Sequence, residues 1–270
     1  MKSILIVFWH GIGDVIMATP SFRALRKKYP KAKIGISLRF NTKDSGILNN
    51  CLYFNKIYSI NNPWFSSSLE RGFKIINKQI QKILQEDSYD EVKWINFENK
   101  KHKVFVAAEE LGVNLDNTRY EVFLSKKDEK DALSWLAKNN LQPANYAFLH
   151  TNSGDVRKNI SSKFFQKRIP SKFKKYVIVG KSYSIKNHNI NFSAALLKHA
   201  GFLALVDSAF VHVADAMGKD IDIHVTTKDI EKYNRPLNIK RKQIIFKKFT
   251  FLSTLKQRFR YNFRKVKSKL

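Results

Sequence analysis

The apolar run ILIVFW, residues 4 to 9, is followed at once by HGIGD and then by a helix-patterned segment, Val15 to Tyr29. A short buried strand that turns through two glycines into a helix constrains the chain to an open α/β architecture. In such sheets the turn exposes backbone N–H groups to a ligand. Gly11 and Gly13 permit a sharp turn and a close approach to the backbone. Asp14 stands at the start of the helix, where it could serve as a cap or, as a carboxylate at the carboxyl end of a strand, accept a proton from a substrate hydroxyl. A dinucleotide fingerprint needs a third glycine three residues after Gly13, where this chain has Ile16, and the phosphate-loop pattern is also absent.

The alternation continues. Strands are expected at Lys33–Leu38, Glu91–Asn96 and Tyr120–Leu124, with helices at Leu69–Leu84, Lys103–Leu111 and Asp128–Asn139, the last with an acidic first turn. The stretch KNNLQPANY breaks the pattern. Strands restart at Tyr146–His150 and recur in YVIVG, FLALVDS and DIDIHV. The expected fold is α/β, two Rossmann-like domains facing each other across a cleft. Their expected bounds are residues 1–142 and 143–238, the second domain abbreviated, followed by a basic tail at 239–270.

Composition limits the function classes. No apolar run reaches the length of a membrane-spanning helix and the first residues enter a strand directly, so a cytoplasmic, unprocessed chain is expected. The single Cys51 can form neither an internal disulfide nor a cysteine zinc site. The net charge is +28, and the excess is uneven: residues 1–145 hold 23 basic and 15 acidic residues, residues 146–270 hold 27 and 7. A field of this kind attracts phosphates of nucleic acid, of an anionic membrane or of an acidic glycolipid. A basic nucleic-acid-binding protein is the chief alternative from another class, and against it the basic residues sit in no recognisable DNA- or RNA-binding signature.

In the second half LVDSAFVHVADAMGKDIDIHV, residues 205–225, puts a polar loop and a helix N-terminus after a strand, an arrangement able to hold a diphosphate with backbone N–H groups. Asp207 and Ser208 could equally be helix caps, and His212 a locally bonded helix residue. After the strand YAFLH comes TNSGDVRKNISSKFF, whose hydroxyls, amides and lysines could cradle and neutralise phosphates or form an ordinary polar turn.

These segments together resemble glycosyltransferase family 9, the heptosyltransferase-like enzymes of lipopolysaccharide core synthesis. The resemblance rests on Ile4–Val7, Gly13, Asp14, Pro20, Ala24, Leu25, Arg26, Tyr29 and Pro30, then on Asp207, Ser208, His212, Ala214, Ala216, Gly218 and Lys219, and spans residues 2–236. It implies a GT-B-like fold and an inverting transfer of a sugar, a heptose from a nucleoside diphosphate donor such as ADP-heptose, to an acidic glycolipid. It implies Asp14 as general base, and Gly13, Thr151, Asn152, Ser153, Lys158, Asp207, Ser208 and His212 as donor- and phosphate-binding residues, with Lys163 a substitute for Lys158. No metal is required by that scheme. The chain departs from the family where Gly-Pro is replaced by Ala209-Phe210 and a proline by Asp220, which leaves room for a catalytically silent member.

In the tail Leu252, Leu255, Phe259, Phe263, Val266 and Leu270 recur at helical spacing amid lysines and arginines. Such a helix could pack on the first domain or lie in an anionic membrane interface, so peripheral association with the inner face of the cytoplasmic membrane is expected.

Overall fold

Strand β1 (Ser3–Phe8) is buried at all six positions, and its side chains divide by parity. Ile4, Ile6 and Phe8 join a core with helix α1 (Ile12–Lys28), whereas Leu5 and Val7 pack with Ile76, Ile80 and Ile83 of α3 (Leu69–Glu86) on the other face. This two-sided covering is why the strand is apolar without alternation. It belongs to a computed structural model that describes residues 1–61, 69–97, 101–179 and 189–247.

Two wholly parallel sheets organise the chain. The first runs β3-β2-β1-β4, with β2 at Lys33–Arg39, β3 at Lys56–Ile60 and β4 at Glu91–Ile95. The second runs β6-β5-β7-β8-β9, formed by β5 (Tyr146–His150), β6 (Lys175–Val179), β7 (Phe202–Val206), β8 (Ile221–Thr226) and β9 (Arg241–Phe246). In each sheet the strand order reverses beside the first strand: β2 and β4 flank β1, β6 and β7 flank β5. Such reversals open a crevice at the carboxyl ends of the strands.

Between the sheets lies one continuous core that includes α1, α4 (Lys103–Leu111), α7 (Ile190–His199) and α8 (Ala209–Ala216). Helix α1 is buried around most of its circumference from Val15 to Phe22. Pro20 lies inside it and cannot donate to the carbonyl of Ile16; the Thr19 hydroxyl donates there instead, at 2.7 Å. No helix among the described residues is long and apolar enough to cross a membrane.

Several sequence expectations need correction. Tyr120–Leu124 is not a strand. The Glu121 N–H donates to the Thr19 hydroxyl at 2.9 Å and the Phe123 carbonyl accepts from Asn50 at 2.9 Å, so this segment's backbone groups go to side chains and form no ladder. Helix α5 (Lys126–Lys138) precedes the boundary expected at residue 142, yet it packs on α7 of the second half through Trp135 against Phe192 and Glu129 with Lys198. Residues 241–246, assigned from sequence to the tail, form β9, the edge of the second sheet; its exposed basic residues disguise the strand pattern. The remainder of the expected amphipathic tail, residues 248–270, lies outside the described residues.

Candidate active site

At the carboxyl end of β1 the chain turns through Trp9, His10 and Gly11 into α1. The Asp14 carboxylate, one turn in, accepts the Gly11 N–H at 3.0 Å through Oδ2, so it does serve the helix end. Its Oδ1 accepts from Lys103 Nζ at 2.5 Å, and Lys103 is the first residue of α4. Burial pushes the Asp14 carboxyl up, but Lys103 and then His10 outweigh burial and hold it below the usual carboxylate range. Asp14 is therefore an ionised group at neutral pH.

The walls around it are specific. His10 shares its Nε2 with the Ile95 carbonyl at 2.9 Å, and burial holds it below an ordinary histidine despite the nearby Asp14. Phe97 stacks on His10 at 4.8 Å with its backbone at φ +55°, a conformation uncommon for an aromatic residue, and Lys103 lies 5.3 Å from its ring centre. Arg39 ends β2 with its Nε buried and without a hydrogen-bond partner among the described residues. Burial lowers its pKa while the charge of Asp14 opposes the change.

The second half builds the facing wall. Asp207 follows β7 and is 4% exposed. Lys158 Nζ lies 2.7 Å from its Oδ2; burial nonetheless keeps this carboxyl above the usual range. Ser208 caps α8, accepting the Phe210 N–H at 3.3 Å, and its hydroxyl lies 3.0 Å from His150 Nδ1. That hydroxyl can donate only to an unprotonated Nδ1, consistent with burial lowering His150 to about 3. Phe210 occupies the place of the family's proline and stacks on His150 at 4.6 Å. Ala209 begins the helix with no positive φ, so the missing glycine leaves no strain.

The loop after β5 is held by its own polar groups. The buried Thr151 accepts the Ile160 N–H at 3.0 Å through its carbonyl, and the Ser153 N–H donates to Asn159 at 2.6 Å. Asn152 is half-buried beside them. Lys247 donates to the carbonyls of Arg157 and Asn159, at 2.6 Å each, pinning the loop against the end of β9. Lys158, Asp207, Val225, Thr226, Thr227 and Lys247 close together there and leave no space for a water molecule between them. Lys163 is exposed on α6 (Ser162–Gln166), so the lysine at this wall is Lys158. Lys219 lies elsewhere, donating to the Ala200 carbonyl at 2.8 Å, and Asp220 accepts the Lys240 N–H at 2.9 Å.

The two walls meet through Gly13. A Cβ on Gly13 would stand 3.0 Å from the His212 ring and 3.4 Å from Ala209 Cα, so the missing side chain is what lets α1 lie against α8. Gly13 thus presents its bare Cα face to α8. His212 is itself buried, beside the Tyr120 ring at 5.8 Å, and burial lowers it to about 3. His102 also crosses the seam, its Nε2 lying 2.9 Å from the Arg235 carbonyl. The result is a line of groups on facing sheet ends: a carboxylate with a cation on one side, a cation, a carboxyl and a helix N-terminus on the other. Among the described residues no group of three His, Cys, Asp or Glu side chains is placed to hold a metal ion.

No family model and no curated protein matches the sequence. Solved structures do match in three dimensions. A glycosyl transferase family 9 protein from Veillonella parvula superposes with a TM-score of 0.68 at 14% identity, covering 91% of this chain and 86% of that one. The chain has the GT-B-like fold of that structure. The Escherichia coli heptosyltransferase WaaC, solved with ADP, gives a TM-score of 0.60 at 13% identity over 97% of this chain and 100% of its own. The E. coli ADP-heptose heptosyltransferase II gives 0.57 at 11% identity over the whole of both chains. Identity this low conveys the GT-B-like architecture, α/β with two facing parallel sheets, and no more.

Sequence reasoning missed Lys103, Arg39, His10 and Lys247 as members of the site. Lys103 sits in the run KKHK, which in one dimension looks like a solvated charge cluster. Its meeting with Asp14, 89 residues away, leaves no local signal.

Proposed function

We propose that this protein is a glycosyltransferase in which Asp14 is the general base and the wall formed by Lys158, Asp207 and Ser208 receives a nucleoside diphosphate sugar. The observation that carries the proposal is the placement of an ionised carboxylate opposite a lysine and a capped helix N-terminus at the carboxyl ends of two facing parallel sheets. In the reaction the acceptor oxygen bonds to the anomeric carbon while the bond from that carbon to the diphosphate breaks. The diphosphate leaves with the electron pair. Asp14 takes the hydroxyl proton, and attack opposite the leaving group inverts the anomeric centre.

Lysine ammonium groups and the first N–H groups of α8 are the means of stabilising the departing charge, a role that needs no metal in this scheme. Asn152 and Ser153 border the donor wall with Thr151 buried beside them, and Gly13 and His212 hold the two halves together where they pack on each other. Because WaaC was solved with ADP, a heptose carried on ADP is the donor of choice. The net charge of +28 suits an acidic glycolipid acceptor and an anionic membrane surface, which supports reading the enzyme as one that works at the cytoplasmic face of a membrane.

A second reading, a catalytically silent member of the same fold, is favoured by two observations. The wall's lysine is already paired with Asp207, and Phe210 fills the space beside His150. A thermal-shift panel of nucleoside diphosphates and their sugars decides between the two. Donor binding raises the melting temperature with the logarithm of ligand concentration over Kd. A panel in which no nucleotide moves it would end the enzyme proposal.

A further inference from the structure

An ion-paired base poses a chemical problem. Asp14 has to accept a proton during the reaction, yet a cation at 2.5 Å opposes protonation and makes it a weak base. The groups facing Asp14 are Lys103 of α4, Arg39 of β2, His10 and the Gly11 N–H of its own turn, and His212 of α8. Of the two cations, Lys103 stands in a position to leave. It is the first residue of α4, on a flexible four-carbon stem, next to His102, which touches the Arg235 carbonyl of the second half at 2.9 Å. Its charge is also felt at Asp207 and His212 of the second half.

We propose that Lys103 is a donor-operated switch on the base: with the seam empty it pairs with Asp14, and a bound diphosphate draws it away, freeing Asp14 to accept the acceptor's proton. A diphosphate competes well for the ammonium, since it carries more negative charge than one carboxylate and offers several acceptor oxygens. Lys103 acts through Asp14 and is in that respect a positioning residue. Coupling the base to the donor in this way would keep Asp14 inactive until a leaving group is present. The inference rests on the nucleotide site proposed above.

The test follows the side-chain carboxyl of Asp14 by carbon-13 NMR through a pH titration of the full chain, with the signal assigned by its loss in Asp14→Asn. Titrations are run without ligand, with ADP and with inorganic pyrophosphate. In the native protein the Asp14 midpoint should rise when either ligand is added. In Lys103→Met it should already be raised without ligand and should not respond to ADP, while Lys103→Arg should restore the low midpoint. Lys103→Gln provides the same comparison if the methionine variant folds poorly. The switch is overturned if ADP perturbs the Ser208 and Phe210 backbone signals but leaves the Asp14 midpoint unchanged. A Lys103→Met midpoint equal to the native one would overturn it as well. If neither ligand perturbs Ser208 or Phe210, the nucleotide reading itself fails and takes the switch with it, a result distinct from ligand bound without effect on Asp14.

Discussion

Gly13 and His212 touch across the two halves of the molecule at a distance that would crowd a Cβ, which would lie 3.0 Å from the imidazole and 3.4 Å from Ala209 Cα. Substitution of Gly13 by alanine should therefore push α8 away from α1 and lower stability by roughly 1–3 kcal/mol, the usual effect of overpacking. Gly11→Ala is the control, since its Cβ would meet nothing closer than the Asp14 carboxylate at 3.5 Å. Urea unfolding of the two variants measures the difference, and equal midpoints would contradict the contact.

Removing the base should stop transfer without unfolding the chain. Asp14→Asn keeps an oxygen to accept the Gly11 N–H, so the start of α1 is preserved. Sugar transfer should fall by about 10²–10⁴, the range for a lost general base. Circular dichroism and melting temperature report the fold. Turnover within a few-fold of the native rate would assign the base elsewhere.

Lys158 and Lys163 should behave differently although they lie five residues apart. Lys163→Met alters an exposed side chain and should change stability by less than about 0.5 kcal/mol. Lys158→Met leaves Asp207 buried without its cation, at a cost of roughly 3 kcal/mol at pH 7. Burial already holds the Asp207 carboxyl above its unfolded value, and loss of Lys158 moves it further up. Between those two values the folded state holds a proton that the unfolded chain releases, so the deficit of Lys158→Met should shrink as pH falls through that window. A deficit that is constant with pH would argue against the pairing.

Acid should destabilise the native protein through its buried histidines. Burial lowers His150, His212 and His224 from 6.5 to about 3. Between about pH 6.5 and 3 the unfolded chain binds these protons and the folded one does not, so stability falls as pH is lowered. Each site contributes on the order of 1.4 kcal/mol per pH unit where fully differential. Urea midpoints measured from pH 7 to pH 4 should decline steeply, and His212→Asn should flatten the slope by about one proton.

The sequence by itself determined the local elements wherever an apolar run or a helical period was strong. ILIVFW had to be a strand covered on both faces, and Val15 to Tyr29 had to be a helix, because buried strands and buried helices are the ways such runs satisfy their backbone groups in an apolar core. It also determined which turns lie at strand ends, since HGIGD and LVDSAF carry the glycine, carboxyl and hydroxyl groups that such turns require. Local pattern failed at Tyr120–Leu124, whose β-like residues give their backbone bonds to Thr19 and Asn50, and at β9, where basic residues on a sheet edge hide the alternation. Only the tertiary structure decided that Lys103 pairs with Asp14, that Lys158 pairs with Asp207, and that Gly13 is bare in order to admit His212. These partners are separated by 89, 49 and about 200 residues. Electrostatic pairing and steric fit depend on distance in space, and a linear pattern of residues carries that distance only after the strands have been ordered into sheets.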